Sequence, residues 1–158
     1  ELYGLIAAEG QVGCGGFLGW APGRSWPLQD DLFALISPKM AREFFIETIA
    51  EQARSLDRAM FHLDGPESLP NLDLLLDLPD LDGIQWQPGH AHREMLQWIP
   101  LLKRILGRGK CVLVGVAAAE VEPILREVPA RGLKLVTSVA SEAEARDLLR
   151  RAERWTRD

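Results

Sequence analysis

The sequence predicts an α/β protein with a parallel β-sheet. Short apolar runs alternate with longer amphipathic segments along most of the 158 residues. This alternation of strands and helices is typical of parallel βαβ units. Pro, Gly and Asp bound most of the apolar runs, as expected where strands end in turns. A chain of this length forms one domain with a real core, so we expect a single α/β domain over 1–158.

Five segments are strand candidates. They are residues 16–20, 59–63, 83–86, 110–116 and 133–137, of which the last four are firm. A weaker apolar stretch over 28–36 is interrupted by Asp30 and Asp31, and a turn is expected at 22–24. The firm strands are largely apolar at consecutive positions, as expected when a sheet is covered on both sides.

Amphipathic segments between the strands predict helices. They cover residues 40–56, 69–76, 94–106, 119–128 and 142–155. Ser37 followed by Pro38 is a favourable helix start, because serine caps the first turn and proline fits its first position. Ser141 has the same capping role in the last helix. Pro100 lies inside the predicted 94–106 helix, where we expect a kink.

Charge and composition exclude several partners. A net charge of −5 argues against nucleic acid, because binding phosphates requires a basic surface. No apolar run is long enough to cross a membrane, so no membrane partner is expected. Cys14 and Cys111 are far apart and lack metal-ligand spacing, which favours a reducing, cytoplasmic setting. The chain begins at Glu1 without a signal-peptide pattern and has the character of part of a longer polypeptide.

Two architectures fit the strand and helix pattern. A complete (β/α)8 barrel takes about 250 residues, so these strands correspond to about half of one. A small open doubly wound sheet, such as a flavodoxin-like binding domain, has the same alternation. The pattern alone leaves both open. In either fold, polar residues at the carboxyl ends of strands are the first candidates for function.

His62 and Asp64 form the first candidate pair, at the end of the strand over 59–63. Side chains two residues apart on a strand point to the same face. An imidazole and a carboxylate placed in this way can bind a metal such as zinc or share a proton. The alternative is a hydrogen-bonded histidine beside an aspartate that caps the turn at Gly65.

Two further pairs lie in strand-end positions. The adjacent acids Asp30 and Asp31 form the first of these pairs. One of them, for which we choose Asp31, is a candidate acid or base or a hydrogen-bond partner of a substrate, although two adjacent acids are often only solvated. Gln85 offers an amide that can orient a ligand, and Trp86 offers a flat apolar wall. Tryptophan packs more often in a core, which is the alternative for Trp86.

Polar residues also follow the last strand and the strand over 83–86. Thr137 and Ser138 precede the Ser141 helix start, whose backbone N–H groups can hold an anion or simply be capped. The loop residues His90, His92 and Arg93 offer a His-x-His pattern, for which a solvated loop is the favoured interpretation. The run Gly13-Cys14-Gly15-Gly16 lacks the spacing of a phosphate-binding fingerprint.

Several motifs occur in a specific order. They are Trp20-Ala21-Pro22-Gly23-Arg24, then Asp31, Ile36-Ser37-Pro38, Phe61-His62-Leu63-Asp64-Gly65-Pro66, Leu72-Asp73-Leu74-Leu75-Leu76, Leu81-Asp82-Gly83-Ile84-Gln85-Trp86 and Pro88-Gly89. The series resembles the C-terminal portion of the uroporphyrinogen decarboxylase superfamily, in its corrinoid-methyltransferase-like members. The resemblance extends over residues 20–148.

The resemblance implies the C-terminal half of a (β/α)8 TIM barrel, with parallel strands and flanking helices. It implies methyl transfer involving a corrinoid on a partner protein or a methylated small molecule. In such methyltransferases a His-x-Cys at this strand end helps to hold zinc, and here His62 matches while Asp64 replaces the cysteine. The residues with which the decarboxylases grip porphyrinogens lie largely in the N-terminal part.

The residues therefore receive the following roles. Asp31 and His62 are catalytic, Gln85, Trp86 and Ser138 bind the substrate, and His62 with Asp64 binds the metal. We expect the chain to be incomplete as an enzyme on its own, because barrel sites draw on several strands. The alternative is a non-catalytic half-barrel. Its exposed strand edges would be covered by a homodimer or by an N-terminal half-barrel.

Overall fold

A five-stranded parallel sheet is the main element of the fold. The structure is a computed structural model and describes residues 2–8, 13–16 and 19–156. Helix α1 (Leu2–Ala8) and an antiparallel hairpin of β1 (Gly13–Gly16) and β2 (Gly19–Pro22) precede the sheet. The sheet consists of β3 (Ser25–Gln29), β4 (Arg58–Asp64), β5 (Gly83–Gln87), β6 (Cys111–Gly115) and β7 (Leu133–Val136).

Helices connect consecutive strands and complete the chain. They are α2 (Pro38–Phe44), α3 (Ile46–Arg54), α4 (Leu72–Leu76), α5 (Ile99–Gly107), α6 (Val121–Glu127) and α7 (Glu142–Trp155). Short 3-10 helices cover Asp31–Ala34, Pro66–Asn71, His90–His92, Met95–Trp98 and Ala118–Glu120. Within the described residues, none of the helices has the length and apolar character needed to cross a membrane.

The strand order distinguishes this sheet from a flavodoxin-like one. The strands lie in the sheet in the same order as in the chain, β3-β4-β5-β6-β7, and each pairs in parallel with the next. A flavodoxin-like sheet has the order 2-1-3-4-5, which reverses at a switch point and places helices on both faces. Right-handed crossovers between sequential neighbours place every connecting helix on the same face. The flavodoxin-like alternative therefore does not describe this sheet.

The apolar core lies on one face of the sheet. Leu28, Phe61, Ile84 and Val112 occupy one register row across β3 to β6, and all four are buried. They belong to one cluster with the apolar side chains of α3, α4, α5 and α6. The helices that contribute to this cluster therefore pack on a single face of the sheet.

The second face carries a mixed polar row. Gln29, His62, Gln85, Leu113 and Lys134 are register partners from β3 to β7. The middle of this row is buried at Gln85 and Leu113, whereas its two ends are exposed. We call this row the polar row.

The hairpin lies near the amino-terminal part of this second face. Hairpin residues 19–21 line one cleft together with Met60, Cys111 and Leu113 of the sheet. The strand expected over 16–20 is wrong in its described part, because Gly16 and Gly19 belong to two antiparallel strands. Residues 17 and 18 of that prediction lie outside the described residues.

The first parallel strand, β3, was missed by the sequence analysis. Its Pro27 lowers the strand propensity, but proline is tolerated on an edge strand, where its missing N–H breaks no ladder. β3 is an edge strand of this sheet. The four firm strand predictions are confirmed, since each overlaps one of β4 to β7.

The predicted serine caps at two helix starts are confirmed, whereas two predictions about helix interiors differ from the structure. Ser37 and Ser141 cap as predicted, each accepting a hydrogen bond at 3.3 Å from the backbone N–H three residues later. The helix expected over 40–56 is broken at Phe45, whose ψ of −36° accompanies a φ of −123°. Pro100 lies in the first turn of α5, so it starts that helix and the predicted kink is wrong.

An ion pair joins the starts of β3 and β4. The carboxylate of Asp57 accepts hydrogen bonds from the Arg24 guanidinium at 2.9 Å and the Arg24 backbone N–H at 2.8 Å. These bonds lower the pKa of Asp57 to about 2. Gly23 has a φ of +78°, and a Cβ there would lie 2.7 Å from the carboxylate. Only glycine fits this approach without strain.

The Asp57 pKa predicts how stability depends on pH. A carboxyl group whose pKa is lower in the folded state stabilises the fold above its unfolded pKa, and the effect disappears as pH falls through its folded pKa. We therefore expect Asp57→Asn to be less stable than wild type above pH ~4 and equally stable near pH ~2. Urea unfolding at several pH values measures this difference. Glu153→Gln on exposed α7 surface is the control, and a pH-independent Asp57→Asn deficit would contradict the interpretation.

Candidate functional site

His62 is the centre of the candidate site, near the carboxyl end of β4. Its neighbours Phe61 and Leu63 are fully buried on the helix-covered face, so alternation places His62 on the second face. The side chain is half-buried, and Asp64, two residues further, is exposed at the end of the same strand.

Gln85 orients the His62 ring across the β4–β5 pairing. The two residues are register partners, and His62 Nδ1 contacts the Gln85 Oε1 atom. The Gln85 amide orientation is fixed by its Nε2, which donates to the Trp86 carbonyl at 3.3 Å. Because Oε1 can only accept, this contact favours the tautomer in which His62 Nδ1 carries the proton.

The buried position of Gln85 changes its expected role. Only 4% of the residue is exposed, so its amide holds His62 and does not form the wall of an open pocket. The structure shows Gln85 in contact with His62, whereas direct substrate binding by Gln85 stays a prediction. A ring nitrogen fixed by a hydrogen-bond partner leaves the other nitrogen with a defined orientation, as in proton-transfer sites and metal sites.

Trp86 lies in the core. It follows Gln85 on the strand and therefore points to the opposite face, where it is fully buried. Its ring packs edge-on against Trp98, with the ring centroids 5.0 Å apart. The structure thus places the Trp86 ring on the far side of the sheet from His62, and substrate binding by Trp86 stays a prediction.

Asp31 connects to the polar row through Gln29. The Gln29 Nε2 atom donates to Asp31 Oδ1 at 2.7 Å, and Gln29 is the register partner of His62. Both Gln29 and Asp31 are exposed at the end of β3. Asp30 has a local role, since its carboxylate accepts from the Leu32 N–H at 3.0 Å and caps the 3-10 helix. The structure thus places Asp31 on the same edge of the sheet as His62.

Asn71 supports this edge and was missed by the sequence analysis. It is fully buried, and its Nδ2 donates to the Phe33 carbonyl at 2.7 Å and to the Ile36 carbonyl at 3.2 Å. These bonds attach the segment after Asp31 to the crossover after β4. A lone amide beside an apolar run was the available signal, but the residues that it contacts cannot be read from the sequence.

The described residues do not form a complete zinc site. Among them there is no cluster of three or more His, Cys, Asp or Glu side chains that could hold a metal ion. His62 and Asp64 supply two donors, whereas a catalytic zinc takes three protein ligands. Zinc binding by this pair stays a prediction, and the chemistry considered below does not depend on it.

Ser138 lies in a separate cleft at the carboxyl ends of β5, β6 and β7. The cleft has a volume of about 530 Å³ and is lined by Gln87, His90, Arg93, Thr137 and Ser138, among others. We call it the β5–β7 cleft. Gln87 is the register partner of Asp64, so the cleft begins one strand away from the His62 site.

Loop residues predicted only weakly have distinct places. Arg93 Nη2 contacts His90 Nδ1 at the β5–β7 cleft, whereas the His92 ring packs edge-on against Trp98 at 6.2 Å between centroids. The metal-binding His-x-His alternative is therefore not supported, because the two rings have different surroundings.

The resemblance noted in the sequence has no independent support from known proteins. Comparisons with protein-family models, with curated proteins and with solved structures find no significant match to this chain. The class of fold follows from the sheet itself, which is α/β and parallel with flanking helices. Any assignment of activity depends on the geometry and chemistry of the site.

The Gln85 contact predicts a single His62 tautomer. Long-range ¹H–¹⁵N spectra distinguish the protonated ring nitrogen from the other one. We expect neutral His62 to carry its proton on Nδ1 in the wild type and to lose this preference in Gln85→Leu, which removes the acceptor. The exposed His92 ring in the same spectra is the control. An Nε2-protonated His62 in the wild type would show that Gln85 does not orient the ring.

Proposed function

We propose that this chain is the C-terminal half of a (β/α)8 barrel of the uroporphyrinogen decarboxylase-like class. In the complete, cytoplasmic protein, the barrel would transfer a methyl group between a corrinoid-protein partner, or another methylated small molecule, and a small acceptor. The observation that carries the proposal is the polar row, with His62 held by Gln85 near the carboxyl ends of sequential parallel strands.

The sheet topology supports the half-barrel. In such a barrel, neighbouring strands follow the chain order, helices cover the outside, and side chains from alternate positions fill the inside. Here the strand order is sequential and the helix-packed core occupies one face. The second face would then be the barrel interior. The edges of β3 and β7 would pair with strands that lie outside this chain.

Several residues of the motif series have specific structural roles, which supports the resemblance. Gly65, directly after β4, and Gly89, two residues after the end of β5, adopt φ values of +76° and +77°, which favour glycine. The Asp82 carboxylate accepts from the Ala59 N–H at 2.8 Å and joins the starts of the same two strands. The motif series therefore contains residues that form the turns after β4 and β5 and that join the starts of these two strands, of which β4 carries His62.

The proton chemistry of His62 fits transfer to a protic acceptor. As the new bond between a thiol or hydroxyl acceptor and the methyl carbon forms, the bond from that carbon to the donor breaks and its electron pair stays with the donor, while the acceptor loses its proton. His62, whose ring Gln85 orients, is the group proposed to accept that proton. Asp31, held by Gln29, is proposed as a hydrogen-bond partner of the substrate at the same edge.

The direct test replaces His62 in the complete protein. With methylcobalamin as donor and a small thiol as acceptor, we expect His62→Ala to lower turnover by roughly 10²–10⁴-fold, the usual contribution of a general base. His92→Ala is the matched control, because its ring packs on Trp98, away from the polar row. Unchanged turnover in a folded His62→Ala protein would refute the proposed role, and circular dichroism checks the folding.

The zinc prediction can be tested in the same proteins. A zinc ion held by His62 and Asp64 would need a third ligand from the part of the barrel outside this chain. Metal analysis of wild type, His62→Ala and Asp64→Ala measures the zinc content directly. Stoichiometric zinc that both substitutions remove would support the prediction, and zinc-free active protein would refute it.

A non-catalytic role in association is the second candidate. Trp20 and Trp26 are 67% and 57% exposed, near the β3 edge of the sheet. Large exposed aromatic side chains on or near an edge strand favour contact with another chain. In this candidate the chain forms a homodimer or pairs with an N-terminal half-barrel, and His62 has no chemical role.

A further inference from the structure

The β5–β7 cleft has the composition of an anion site. We propose that it binds an oxyanion, the carboxylate or phosphate group of a small molecule, between Arg93, His90 and Ser138. The cleft is defined by the carboxyl ends of three neighbouring parallel strands, where α/β proteins bind ligands.

Arg93 and His90 provide coupled N–H donors on one wall. The Arg93 guanidinium contacts His90 Nδ1, and both side chains are exposed to the cleft. An arginine has no acceptor atom, so it donates to Nδ1, and the imidazole then carries its proton on Nε2. The guanidinium has further N–H groups in the planar arrangement that suits carboxylate and phosphate oxygens.

Hydroxyl groups provide the opposite wall. Thr137 and Ser138 follow β7 directly and are exposed at the cleft. A serine or threonine hydroxyl donates one hydrogen bond and rotates to suit its partner. The Gln87 side chain, from the end of β5, adds an amide to the lining of the cleft. A small oxyanion can therefore be contacted from two sides.

The acidic residue that lines this cleft is already used by the backbone. Glu120 accepts from the Met95 N–H at 2.5 Å, the Leu96 N–H at 3.3 Å and the Ala117 N–H at 2.9 Å. Three N–H donors offset the carboxylate charge and attach the loop that carries Arg93 to the end of β6. Asp64 is exposed on the neighbouring strand but does not line the cleft.

The position of the cleft places two parts of one small molecule at different sites, the anionic group in the cleft and the remainder near His62. Gln87 pairs in register with Asp64, and Gln85 pairs with His62, so the cleft and the His62 site share one edge of the sheet. An anionic group held at Arg93 would leave the rest of a small molecule near His62. This division rests on the proposed function, whereas oxyanion binding by the cleft does not.

Anion binding can be measured on this chain without any turnover assay. ¹H–¹⁵N spectra are recorded during titration with inorganic phosphate and, separately, with acetate, at constant ionic strength. We expect saturable shifts at Gln87, Arg93 and Ser138 with at least one of the two ions. Arg93→Gln should raise the Kd by on the order of tenfold or more, because charge-assisted hydrogen bonds are lost. Arg42→Gln, an exposed charge on α2, is the matched control.

The outcomes separate the ligand classes. Saturation by phosphate alone would assign a phosphate ester, and saturation by acetate alone would assign a carboxylate. The proposal would be overturned by chemical-shift changes that do not saturate or that spread over other basic surfaces. It would also be overturned if Arg42→Gln weakened anion binding as much as Arg93→Gln does. Loss of turnover in His62→Ala with no anion binding would retain the proposed function and reject only this inference.

Discussion

The alternation of side chains across sequential parallel strands is the constraint on which the rest of the structure depends. Successive residues of a strand point to opposite faces, and a shift of one residue would exchange the two faces completely. In this sheet Phe61 and Ile84 share the helix-covered row, so His62 and Gln85 must share the other. Because consecutive strands are neighbours throughout, right-handed connections place their helices on one side. The core and the polar row are therefore two consequences of the same register.

Burial makes the polar row chemically specific. Gln85 lies in the middle of the sheet, where an amide without partners would be costly, and its two polar ends bond to the His62 ring and to the Trp86 carbonyl. A residue that is required by the packing thus also fixes the orientation of the imidazole. Beyond the row, at the carboxyl edge of the sheet, Asp64 and Gln87 are exposed to solvent. There Asp31 connects through Gln29 on one side of His62, and the β5–β7 cleft begins at Gln87 on the other.

The sequence predicts the interior of this fold better than its margins. The runs that became β4 to β7 are apolar and end in turn residues, so their positions could be predicted from composition. β3 contains Pro27 and an exposed Trp26, and only its edge position makes such a strand possible. The candidate site was predicted in part, because His62, Asp31 and Ser138 lie at strand ends. The role of Gln85 depends on register between strands, which no local pattern contains. Adjacent residues of one strand point to opposite faces, so the structure places Trp86 and Gln85 on different sides of the sheet.

The sheet is parallel and five-stranded with flanking helices, and we propose that it is part of a barrel whose polar face and two strand edges another polypeptide completes. The most direct measurement is the solution mass of the purified chain by light scattering over a wide range of concentrations. The account predicts a mass that rises from one chain towards two as the concentration increases, because each chain covers the exposed edges of the other. A mass that stays at one chain throughout the range, in a folded protein, would contradict it. The sheet would then cover its own edges, and the chain would be a self-contained α/β domain.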